Sequence, residues 1–402
     1  MGGQIVIKYD TLSLSQQVLE RQEGHARRVA SYLPAHADIG DSTGLLLSIF
    51  DPLSKLAVQV GSDAANVLAE LEQAMAGAVG DTQVDVADQD GKVGDAFTKL
   101  LGRLGAHGAD DHYPELTNGP TLPAAGQSAP GDYGGVESFF WQKGEATVQA
   151  LSGGVSDIVG LVHDVGQWGS TQHVTELVDA SSFLVAPRAP DNPVSDLRWS
   201  AGALLGSIDW VAEKFIGFSI LDRCVFHPFA GDWQGIFKSS EAWHHAGDAA
   251  QAMTRNHAGL VASTPQTWQG LSGDSFRAAM TAIAGATYGL SAAYSYAGDL
   301  VKTLSTVTKL ACSGIGTLLK MIADKLIKMA AEAAAPVIGW IVGAVTAYDD
   351  IQDIIKWVRR VNVLIETIAS AIQDFAEAKT SIVARYQIIE DLAQGAATSA
   401  AA

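Results

Sequence analysis

Between Trp243 and Leu304 the apolar residues of this chain fall at alternating steps of three and four, interrupted once by STPQTWQGLSGDS. Before the interruption lie Trp243, Ala246, Ala250, Met253, His257 and Leu260; after it come Phe276, Met280, Ile283, Thr287, Leu290, Tyr294, Ala297, Val301 and Leu304. Such spacing draws one narrow apolar stripe along each of two helices. Neither helix can hide its stripe alone, so the two are expected to fold back on one another about the break. Within the break, Pro265 stops the first helix, Gly270 and Gly273 permit backbone angles closed to other residues, and Ser272 or Asp274 is placed to cap the second. Trp268 is left to close the end of the pair, a burial of about 2 kcal/mol or more.

The same reasoning divides the rest of the chain. Residues 1–109 read as another helical hairpin: a Gln-, Glu- and Arg-rich helix over 11–33, the turn-rich PAHADIGDST, then a helix from Asp51 with Leu53, Leu56, Val60, Ala64, Val67, Leu71, Ala74 and Ala78 on one stripe. Residues 110–135 concentrate Pro, Gly, Asn and Ser without period and read as a linker. A mixed helical middle region follows over 136–230. Residues 231–402 hold the Trp268 pair and further long helices, the last striped by Val361, Ile365, Ile368, Ile372, Phe375, Ile382, Tyr386 and Ile389. The expected class is mainly α, an elongated bundle of two antiparallel helical hairpins with long, coiled-coil-like helices.

Charge and cysteine usage narrow the partners. The 402 residues carry 26 basic and 44 acidic side chains, a net charge of −18, which opposes binding to a phosphate backbone, so nucleic acid is not expected as a partner. Two cysteines, Cys224 and Cys312, are too few for a disulfide framework and too far apart for a thiolate zinc site. The opening MGGQIVIKYDTLSLSQQ lacks the basic, apolar and small-residue regions of a Sec signal.

No motif for catalysis is present. A phosphate loop ending in Lys and Ser or Thr, a G-x-S-x-G elbow and an H-E-x-x-H helix are all missing from the sequence. His107, Asp110, Asp111 and His112 gather metal-ligand chemistry, but at the head of the Pro-rich stretch, where a solvated loop is expected. His244, His245 and His257 lie on or beside the stripe and are expected to be half-buried and hydrogen-bonded, and the scattered carboxylates read as solvated faces. The expectation is no enzyme, no cofactor and no metal. The nearly uncharged stretch from Ala333 to Tyr348, with Gly339, Trp340 and Gly343 in a GxxxG setting, is short of the roughly twenty residues of a membrane span and reads as a buried helix or as a conditional membrane segment.

Trp268-Gln269-Gly270 between two striped helices, with Trp243 upstream and GDSFRAAM downstream, resembles the WXG family of helical-hairpin substrates of type VII secretion. The region is also similar to the amino-terminal trafficking regions of actinobacterial polymorphic toxins. Residues 9–99 resemble another hairpin group of the same export route. At the place of that group's Tyr-x-x-x-Asp/Glu element, however, VDVADQD carries Val86 where Tyr is expected. Tyr386 and Glu390 do fit the element and form the candidate export signal.

The resemblance implies a secreted or envelope-associated protein, exported without a Sec signal, that binds small WXG-type hairpin proteins or copies of itself and meets the type VII machinery. Such a protein acts as an export, partner-binding or scaffold module. The alternative is a membrane-inserting or pore-forming delivery domain of a toxin-like protein, with the chain's GAATSAAA end leaving open a complete protein or a module separated from its cargo.

Overall fold

A computed structural model describes residues 6–44, 47–103, 119–134, 173–188 and 231–332. Among them are four α-helices and no strand: α1 (Tyr9–His36), α2 (Asp51–Arg103), α3 (Trp233–Ser263) and α4 (Leu271–Glu332). Short 3-10 turns sit at Gly40–Ser42, Ser48–Phe50 and Ala180–Phe183. The chain is mainly helical, as its composition and periodicity require.

Each helix is explained by its own residues. Along α1 the buried positions Leu12, Ser15, Val18, Leu19, Gln22, His25, Ala26, Val29, Ala30 and Leu33 recur every three or four residues. Pro34 sits in its last turn and cannot bond back to the Ala30 carbonyl. The hydroxyl of Ser62, on α2, donates to that carbonyl at 2.7 Å in its place. α2 opens on Asp51-Pro52, with proline in the first turn where its missing N–H costs no helical bond. Asp232 caps α3 by accepting from the Gln234 amide at 3.0 Å. Gly231, at φ +98°, admits the chain beside the carbonyl of Ser42, where a Cβ would stand 2.4 Å from that oxygen.

Contacts between helices run in order. On α1 and α2, Gln16 meets Gln83 while Ala30 meets Ser62. On α3 and α4, Trp233, Ser240 and Gly247 meet Ser305, Gly298 and Ser291 in turn, through hydroxyl-to-carbonyl bonds of 2.7 to 2.8 Å. Small residues make this approach close: a Cβ on Gly298 would come within 2.7 Å of the His244 ring, and one on Gly247 within 2.5 Å of Ser295 Oγ.

The helical pairs share one apolar core. Leu12, Leu19, Leu33 and Leu68 pack in the same cluster as Trp243, Met253, Leu260, Met280 and Ile283. Gly61 of α2 lies under the indole of Trp243, where its Cβ would be 3.0 Å from the ring. Two non-helical segments, 119–134 and 173–188, lie against α1 and α3 and join each other through a parallel bridge between Gln127 and Val178. Residues 136–230 were expected to form a mixed helical region; the described part of it, 173–188, is extended apart from its 3-10 turn. Its backbone is held by side chains of α1 and α3 instead of by a helix of its own.

Candidate functional site

The break between α3 and α4 forms a compact elbow. Thr264 ends α3, and the amides of Thr267 and Trp268 both return to its carbonyl. Gly270 takes φ +104°, a left-handed angle that favours glycine. Gly273 is needed for space, since a Cβ there would stand 2.3 Å from the carbonyl oxygen of Trp268. α4 begins at Leu271, so Ser272 and Asp274 lie inside its first turn, not ahead of it where a capping residue sits. Ser272 accepts the indole N–H of Trp268 at 3.0 Å, and Asp274 pairs with Arg277, whose other arm donates to the Trp268 carbonyl at 2.8 Å.

Trp268 is 2% exposed and stacks on Phe276 with ring centroids 4.7 Å apart. The residues before α1 close the elbow from the far end of the chain. Ile7 forms an antiparallel bridge with Trp268; the Lys8 amide donates to the Thr267 carbonyl at 2.9 Å, and the Gln269 amide to the Val6 carbonyl at 2.7 Å. Nothing in the stripe pattern signals this pairing, because MGGQIVIKYD has no periodicity to mark a partner.

The stripe residues Trp243, Met253, Leu260, Phe276, Met280 and Ile283 are all buried. The three neighbouring histidines are buried too, more deeply than expected. His257 faces Glu72 at 2.5 Å with both side chains fully out of solvent, and His244 meets Asp299 at 3.1 Å. His245 uses Nδ1 toward the Tyr32 hydroxyl at 2.9 Å and the Val185 carbonyl at 3.1 Å, while its Nε2 has no partner. Burial draws the His245 pKa down to about 4, against the pull of the Val185 carbonyl, so the ring is neutral.

Carboxylates expected on solvated faces are buried at four positions: Glu72, Glu176, Glu241 and Asp248. Each is taken inside because a group distant in sequence meets it. Glu176 accepts from Arg21 at 2.9 Å and contacts His25 Nε2 at 2.7 Å. Burial works to raise its pKa, but these bonds and charges outweigh that and hold the carboxyl below the usual range. Glu241 accepts the Arg188 amide at 2.6 Å, and burial pushes its pKa up to about 7 against that bond and the charges of Arg188 and Lys238. Asp248 accepts the Tyr133 hydroxyl at 2.7 Å. Tyr133 and Tyr32 are both raised well above the normal phenol range, mainly by burial, with the Asp248 and Glu241 charges adding to it respectively.

These interactions gather along a polar seam where α1 and α3 meet the two extended segments. Gln22 and Asn256 are at its centre, both fully buried, with the Asn256 side-chain amide donating a hydrogen bond to Gln22 Oε1 at 3.1 Å. Among the described residues no group of three or more metal-ligating side chains is assembled, and no helix is long and apolar enough to cross a membrane. Gly339, Trp340, Gly343, Tyr386, Glu390 and the His107 to His112 group lie outside the described residues. No known family model, curated protein or solved structure matches this chain.

Proposed function

We propose that this protein is a non-enzymatic helical module of the type VII secretion kind, built from two antiparallel, coiled-coil-like hairpins. In this reading α3 and α4 are the WXG-type hairpin, and α1 and α2 serve as its partner within one polypeptide. The observation that carries it is the elbow at Trp268: a buried indole, a left-handed Gly270 and a close-packed Gly273 joining two long helices with apolar stripes. The falling order of α4 partners along α3 supports an antiparallel pairing.

A stripe that needs cover finds it here in cis. Trp243 and Leu33 both pack against Gly61, Tyr294 donates to the Gly61 carbonyl, and Asn256 holds Gln22. The mechanism is recognition of a folded, paired unit by the export machinery, with secretion or envelope attachment as its outcome. Small hairpin partners or further copies would then meet surfaces outside this core.

The test is export from a host with a type VII system. Trp268→Ala combined with Gly270→Ala is expected to abolish release while far-ultraviolet circular dichroism retains most of the helix signal. Normal secretion of that variant ends the reading.

A further inference from the structure

The seam between α1 and α3 binds extended backbone. Asn256 accepts the amides of Leu177 and Val178, both at 2.9 Å, and donates to the Val178 carbonyl at 2.8 Å. Gln17 repeats the pattern on the other segment, donating to the Pro120 carbonyl at 2.8 Å and accepting the Leu122 amide at 2.9 Å. Arg21 donates to the carbonyls of Leu122 and Pro123 at 2.9 and 2.7 Å. A helical ligand has no free backbone groups to offer such side chains, since its own ladder uses them. An extended segment offers both donors and acceptors at every residue.

Side-chain recognition adds selectivity. Leu122 and Val178 are buried in the common core, and Glu176 is gripped by Arg21 and His25. The two segments also bind one another, Gly126 amide to Glu176 carbonyl, Gln127 amide to Leu177 carbonyl, and Asp179 amide to Gln127 carbonyl, so they form one unit. That unit is tied to the helices through residues 104–118, 135–172 and 189–230. The shortest of these can span up to about 50 Å when fully extended, comparable to the roughly 42 Å length of α1.

We infer that the α1–α3 groove is a receptor for extended polypeptide, filled by residues 119–134 and 173–188 of its own chain, and that a second copy can supply the same two segments in exchange. Every contact named above joins a segment to α1, to α3 or to the other segment. The same contacts therefore form whether the segments come from the same copy or from a neighbour. The inference stands apart from the export reading and survives its failure.

The experiment is complementation between two full-length chains. One carries Gln22→Ala and Asn256→Ala, which cripple the groove and leave the segments intact. The other carries Leu122→Asp and Val178→Asp, which cripple the segments and leave the groove intact. Each alone is expected to run as a single chain by size exclusion with light scattering, and an equimolar mixture as a 1:1 complex of twice that mass. Adding Asn256→Ala to the second chain is expected to abolish the complex. A mixture that stays at single-chain mass, with both chains helical by circular dichroism, overturns the inference. So does loss of helix in either chain, because the helices would then need the segments in order to fold and could not present an empty groove. Self-association of the second chain alone overturns it as well, since that chain has no intact segment to give.

Discussion

Tyr294, on α4, donates its hydroxyl to the carbonyl of Gly61, on α2, at 2.6 Å, directly beside the indole of Trp243. The bond fixes how closely the two helical pairs approach, and Gly61 sets the clearance. A Cβ at this position would be 3.0 Å from both the Trp243 ring and Leu33 Cδ1.

Gly61→Val is accordingly expected to destabilise by about 1 to 3 kcal/mol, the usual cost of overfilling a packed site. Gly77→Ala supplies the contrast, because its added Cβ would meet nothing within 4 Å. There the helix gain of up to about 1 kcal/mol is expected to appear as stabilisation. Urea unfolding followed by circular dichroism reads both.

The fully buried contact between His257 and Glu72 predicts a strong asymmetry between single and double variants. Glu72→Leu or His257→Leu alone strands a polar partner and is expected to cost about 3 to 5 kcal/mol. Replacing both by Leu removes the stranded group and recovers a large part of that loss. A double-mutant cycle measures the coupling, and simple additivity would refute it.

Glu241 and His245 predict compensating pH effects. His245 ionises at about 4 in the folded chain against an ordinary 6.5, so its contribution to stability rises with pH between those values. Glu241 ionises at about 7 against an ordinary 4.5, so its contribution is present below 4.5 and is lost as pH rises to 7. Between 4.5 and 6.5 the two slopes oppose one another. Relative to the parent chain, Glu241→Gln is expected to gain stability as pH rises through this window, and His245→Asn to lose it. Denaturant midpoints at half-unit pH steps decide; parallel profiles for both variants would contradict the assignment.

Asn256→Ala removes the acceptor for two backbone amides. Hydrogen exchange at Leu177 and Val178 is expected to quicken by tenfold or more, consistent with the roughly 1 to 3 kcal/mol cost of stranding a buried group. Amides in the middle of α3 should keep their protection. Uniform acceleration across the helix would mean that Asn256 acts on the fold as a whole.

The helical class and the elbow at Trp268 were legible because both are written locally. Stripe residues such as Met253, Leu260, Met280 and Ile283 fall on the buried faces that their spacing requires, and Gly270 adopts the left-handed angle for which glycine is suited. What stayed hidden depends on partners distant in the chain. Glu72, Glu176, Glu241 and Asp248 look like surface charges until His257, Arg21, the Arg188 amide and Tyr133 are brought to them. Likewise, the Pro- and Gly-rich stretch around Pro120 carries no period, and it is the bonds from Gln17 and Arg21 on α1, distant in sequence, that reveal it is held.

The antiparallel bridge between Ile7 and Trp268 also bears on how the molecule is made. During translation the amino-terminal residues leave the ribosome long before the elbow they clasp, so this clasp cannot close until synthesis has passed residue 269. Pairings of such high contact order form late and slowly. A chain arrested before that point keeps residues 6–8 unclasped, with their backbone groups open to a chaperone.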